Sequence, residues 1–213
     1  MTKNILCFGD SNTWGAEPVT DHIHVNRYPR EIRWPGVLAD TLGSDIKIIE
    51  EGLNGRTTIW DDPIEGYKNG KEYLIPCLET HQPLDLVILF LGTNDLKHRF
   101  SLTAFDVARS AGVLVRTVMN WIPVAGQRPE VLLIAPPPFK PVPEFLKLMF
   151  SNGYEKSKGF SKEFKEVSIE LGCGFLDAGE YIESSSKDGI HLDPNAHIKL
   201  GKVIAKKVVE IFN

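Results

Sequence analysis

Short apolar runs alternate with stretches of helical spacing along the chain. Residues 4–8 are apolar and stop at Gly9. Residues 46–49 form a β-branched run that ends at Glu50-Glu51-Gly52. The run 85–91, DLVILFL, is the strongest and stops at Gly92, and 131–135 is closed by three prolines. Residues 174–176 make a weak fifth. Continuous apolar runs of this length predict strands of a parallel sheet covered on both faces. Between them, 34–42 has Pro35 near its start and Gly43 just past its end, the asymmetry of a helix. Thr103 is placed to cap a long helix running to about Asn120, with Phe105, Ala108, Val113, Val115 and Val118 at roughly helical spacing. A third helix is expected over 155–171, closed by Gly172. A last one is expected after Asp193 and Pro194, carrying Ile198, Val203, Ile204, Val208 and Ile211.

Strand and helix in repeated alternation predict a three-layer α/β/α fold on a five-stranded parallel sheet, with right-handed connections. At 213 residues the chain reads as one domain, 1–213. Segments 16–33, 59–73 and 136–143 are less regular and rich in proline or glycine, so they read as loops; long ordered loops in a compact domain are often functional.

Composition narrows the partners. Apolar residues make up 42% and the formal charge is −4, which argues against the basic footprint of a nucleic-acid protein. No run is long enough for a transmembrane helix, and the apolar opening is too short for a signal peptide. Cys7, Cys77 and Cys173 are an odd number at wide spacing, so reduced thiols in a cytoplasmic protein are expected rather than a disulfide framework.

Sites on open α/β sheets lie beyond the carboxyl ends of the strands. There the sequence places Gly9-Asp10-Ser11-Asn12-Thr13, then Gly52-Leu53-Asn54-Gly55-Arg56-Thr57-Thr58, then Gly92-Thr93-Asn94-Asp95, and after the fifth run Asp188-Gly189-Ile190-His191. Four of the five ends thus carry groups suited to acyl transfer. A serine hydroxyl needs a base to become a nucleophile. His191 can serve, and Asp188 can hold its imidazole in the right tautomer. The Ser11 amide, the Gly55 amide and the Asn94 side chain are candidate donors to an oxyanion. Asp10 and Trp14 are candidates for the substrate pocket, although Asp10 also suits bonding to nearby amides.

These four blocks, in this order, resemble the SGNH (GDSL) hydrolase family over nearly the whole chain. The fuller strings CFGDSNTWG, EEGLNGRTT, LDLVILFLGTND and DGIHLD resemble its arylesterase/acyltransferase branch. The resemblance implies a flavodoxin-like three-layer fold and a serine esterase acting on small acyl esters without metal or cofactor. It also implies acyl transfer to alcohols or peroxide, and a homo-oligomer. Gly55 fits the family's second block better than Gly52, which suits a strand-end turn.

Other readings keep the triad and change the substrate: carbohydrate acetyl esterase, thioesterase or lysophospholipase. A non-enzymatic flavin or phosphate binder would use the hydroxyl-rich loop after the first strand, but Asp10 counts against it and Asp188 and His191 would have no role. His22 and His24 lack a third metal ligand nearby and read as solvent-facing; His81 and His98 have no partner visible in the sequence. His197 belongs to the last helix. Asp61-Asp62 reads as a solvated turn. Trp34 and Trp60 read as packed. Phe139, Phe145, Leu146, Leu148, Met149 and Phe150 could form an interface or cover the chain's own core.

Overall fold

In the computed structural model the described residues are 2–21 and 24–213, which leaves His22 outside them. The elements run β1 (Lys3–Gly9), α1 (Ser11–Trp14), α2 (Trp34–Leu42), β2 (Ile46–Gly52), α3 (Gly70–His81), β3 (Leu86–Phe90), α4 (Ala104–Asn120), β4 (Glu130–Ala135), α5 (Glu144–Lys147), α6 (Gly153–Ser157), α7 (Phe160–Leu171), β5 (Gly174–Asp177) and α8 (Pro194–Phe212). The strands pair in parallel in the order β2-β1-β3-β4-β5. The order reverses between β1 and β3, and the ends of those strands open the crevice where α/β sheets bind ligands.

The continuous apolar runs are explained by two cores. In β1, Leu6 and Phe8 face one core while Ile5 and Cys7 face the other; in β3, Val87 and Leu89 oppose Leu86 and Ile88. One face is covered by α3, α4 and α7, through residues such as Leu74, Leu114 and Phe164. The other is covered by α2 and α8, through Trp34, Leu38, Leu200 and Ile204. The five-stranded parallel sheet and its three layers agree with the sequence reading.

Three boundaries differ from it. Helix α3 begins within the expected loop 59–73. Its stripe is only Leu74, Cys77 and Leu78, and Pro76 stands inside it, so its apolar period is faint. The expected helix 155–171 is two helices, α6 and α7, which break around Gly159 where α7 turns Phe160 and Phe164 into the core. Strand β2 continues past Ile49 through Glu50 and Glu51. As an edge strand it is only half covered, and those carboxylates pair with Arg33 and His81.

Candidate active site

Asp10 follows β1 and caps α1, its Oδ1 accepting the Asn12 N–H at 2.9 Å. The cap fixes the short helix so that Ser11 stands at its first position, over the end of the sheet. From the other end of the chain, the loop between β5 and α8 brings His191 against it. The His191 Nε2 lies 3.0 Å from Ser11 Oγ, and Nδ1 lies 2.6 Å from Asp188 Oδ2. An ionised carboxylate only accepts, so Nδ1 carries the proton and Nε2 is left to accept from the serine hydroxyl.

Asp188 is fully buried and saturated. Its Oδ1 accepts the N–H groups of Ile190 and His191, both at 2.9 Å, and its Oδ2 accepts the Val19 N–H at 2.8 Å. Burial alone would raise this carboxyl. The hydrogen bond and charge of His191, with the two backbone donors, outweigh it and hold Asp188 below the usual carboxylate value.

Three groups with N–H donors line the same cavity as the imidazole. The Ser11 and Gly55 N–H groups donate to no partner among the described residues. The Asn94 side-chain amide donates one N–H to Arg56 O at 3.1 Å, which fixes its plane and leaves the other N–H for the cavity. Gly55 has φ +80°, in the left-handed region, and a Cβ there would lie 2.4 Å from Glu65 Oε2. Gly52 serves differently: it closes the β2 ladder opposite Gly9, and a Cβ on it would strike the Trp14 backbone N at 2.1 Å.

The loop carrying Gly55 is held by two residues that the sequence reading did not single out. Arg56 donates to Gly9 O at 2.9 Å and to Glu51 O, with its guanidinium over the Phe8 ring. Asp95, fully buried, accepts from the Thr58 N–H and the Thr58 hydroxyl. Burial raises Asp95 to about 7 and Asp10 to about 6. Asp95 directly follows Asn94 in its block, which was the available signal for it.

Ser11, Gly55, Asn94 and His191 line one cavity of about 190 Å³, closed by the apolar side chains of Val19, Val25, Leu146, Met149, Phe150 and Ile190. Of the apolar segment weighed as interface or core, Phe139, Leu146 and Phe150 are buried in the chain's own core and Leu148 is exposed. Two expected pocket residues are not in the cavity lining. Asp10 lies beneath it as the helix cap, and Trp14 points away, its ring under the Arg27 guanidinium and its carbonyl accepting from Arg27.

The acidic pair also departs from expectation: Asp62 is buried rather than solvated, bound by Lys97 at 3.3 Å and Arg99 at 2.7 Å. His81 has a partner after all, Glu51 Oε1 at 2.8 Å. With Cys77 these residues bring one ligand atom each within 4.8 Å of one another. Burial lifts the Cys77 thiol to about 12, and the His81–Glu51 hydrogen bond already pairs the other two groups. His24 bonds Asp21 three residues away, and His197 is buried between α8 and α2.

The model of the GDSL-like lipase/acylhydrolase family matches residues 7–197. The chain belongs to that family. It is a carboxylic ester hydrolase, and its fold is shared closely with solved family structures. The native aryl esterase of M. smegmatis superposes with a TM-score of 0.95 at 41% identity, over 98% of this chain and 99% of that one. Est24, a carbohydrate acetylesterase from Sinorhizobium meliloti, gives 0.95 at 44% identity, over 99% and 100%. A carbohydrate acetylesterase family member from the same organism gives 0.89 at 37% identity, over 99% and 98%. No match was found among curated proteins.

Proposed function

We propose that the enzyme hydrolyses small acyl esters through an acyl-Ser11 intermediate. The reading rests on the unbroken hydrogen-bonded chain from Ser11 Oγ through His191 to buried Asp188. In the forward step Ser11 Oγ bonds to the ester carbonyl carbon while its proton passes to His191 Nε2. The carbonyl oxygen gains the electron pair and is met by the Ser11 and Gly55 N–H groups and the Asn94 amide. Loss of one such donor typically removes about 2.7–4 kcal/mol of transition-state stabilisation. Collapse breaks the bond to the alcohol oxygen, which leaves with the proton from His191. Water then repeats the sequence on the acyl-serine and frees the acid.

The cavity favours small substrates, since about 190 Å³ is below the span of ordinary drug-sized sites, roughly 300–1,000 Å³. That counts against a lysophospholipid chain. The named activities of the similar structures, aryl esterase and carbohydrate acetylesterase, support ester substrates with a compact acyl group. An alcohol or peroxide entering in place of water would take the acyl group through the same base, so transfer is part of the proposal. We also propose a cytoplasmic homo-oligomer. Its three free cysteines and the exposed Ile64, Tyr67 and Leu148 support that reading, and light scattering at micromolar concentration checks the assembly.

The test is Ser11→Ala. It should lower hydrolysis of p-nitrophenyl acetate by at least about 10³-fold with the melting temperature preserved, as removal of a triad nucleophile does elsewhere. Undiminished turnover in that variant would refute the assignment.

A further inference from the structure

We propose that Glu65 recognises hydroxyl groups on the substrate and gives the enzyme its preference for hydroxyl-bearing esters over alkyl ones. The inference rests on the esterase reading above. Glu65 lines the same cavity as Ser11, Gly55, Asn94 and His191. Its Oε1 is held by Lys97 Nζ and lies 3.9 Å from Arg99. Its backbone N–H donates to Asp62 Oδ1 at 3.1 Å. One carboxylate oxygen and the backbone are therefore anchored. The other oxygen, Oε2, accepts no hydrogen bond among the described residues and lies against Gly55, where it would be 2.4 Å from a Cβ. An acceptor with unused capacity thus faces the cavity beside the oxyanion donors.

A bare carboxylate there would repel a developing oxyanion. Lys97 and Arg99 cancel that repulsion: with Asp62 and Glu65 they make two positive and two negative groups in mutual contact. The neutral cluster offers no net charge to draw a cationic leaving group. What it offers is a charged acceptor fixed in place, which a neutral O–H donor suits. The Lys97 side chain is only 2% exposed, so it orients Glu65 rather than meeting substrate itself. Asn54, next to Gly55, lines the same cavity, and its Oδ1 is buried with no hydrogen-bond partner among the described residues. Asp21, the other carboxylate of the cavity, has both oxygens on His24. The remaining wall is apolar, so hydroxyl recognition is concentrated at the Glu65 end.

The test compares kcat/KM for glycerol 1-acetate and for propyl acetate, whose alcohols share a carbon skeleton and differ only in hydroxyls. The wild-type preference for the glycerol ester should fall about ten- to a hundredfold in Glu65→Leu, the usual range for losing a hydrogen bond to a charged acceptor. Glu65→Gln keeps the side-chain volume and an uncharged acceptor. It should move the ratio in the same direction by less, and it carries the test if the leucine variant does not fold. A merely structural role would lower both esters together and leave the ratio fixed; that result, or an unchanged ratio at full activity, overturns the proposal. Wild-type enzyme that hydrolyses neither ester, with Ser11→Ala no slower, would overturn the esterase reading and this proposal with it. That failure is distinguishable because it appears before any change at position 65.

Discussion

One carboxylate at position 188 joins two distant parts of the chain. It takes the imidazole N–H and three backbone N–H groups, one of them from Val19, so it orients His191 and ties the loop after α1 to the loop before α8. Replacing it by asparagine keeps the shape but no longer favours a proton on Nδ1. Asp188→Asn should lower kcat for p-nitrophenyl acetate by about 10⁴-fold, the size seen when a triad aspartate is so replaced in another serine hydrolase. KM should change little; a loss of less than tenfold would mean the tautomer is set by something else. The residues of this constellation were legible because each ends a strand or a turn within a short block. The cluster of Asp62, Glu65, Lys97 and Arg99 was not. Its partners come from separate loops, and a charge in a sequence does not say whether it is buried. Asp10 and Trp14 were misplaced for a related reason: a block that contains the nucleophile does not say which of its side chains face outward.

At the scale of elements, β1, β3 and β4 were plain because both faces of each strand are apolar, whereas α3 was hidden by a faint stripe and an internal proline. The pairing of α2 with α8 lay beyond local pattern altogether. Their contact buries His197, whose Nδ1 accepts the Trp34 N–H at 3.4 Å while its ring meets Tyr28 edge-on. Burial, helped by the charges of His191 and Arg33, lowers its pKa from 6.5 to about 3. The folded state therefore binds fewer protons than the unfolded chain between those values, and stability falls as pH drops through 6.5 toward about 3. Above 6.5 the contribution is complete. His197→Gln lacks this titration, so its destabilisation relative to wild type, measured by urea unfolding, should shrink as pH falls from about 7 to 4. A constant difference across that range would remove His197 as the cause.

Across the whole molecule, the proposed nucleophile Ser11 and its proposed base His191 are 180 residues apart, and a few hydrogen bonds at the strand ends hold them together. The same ends hold two buried acids, Asp10 and Asp95, under the loops that carry the proposed oxyanion donors. Asp95 titrates opposite to His197. Its folded pKa of about 7 stands above the ordinary 3.8, so the folded state binds more protons in between. Stability contributed by its protonated form is present below 3.8 and is lost as pH rises toward about 7, at up to about 1.4 kcal/mol per unit. Near neutral pH, where a histidine base is useful, Asp95 is thus only part-way through its titration, under the loop that carries Gly55. Asp95→Asn keeps an acceptor for Thr58 and cannot ionise. Its stability relative to wild type should rise between pH 4 and 8, read as the difference in melting temperature. A difference that stays flat across that range would mean that Asp95 is not the group whose ionisation strains the fold.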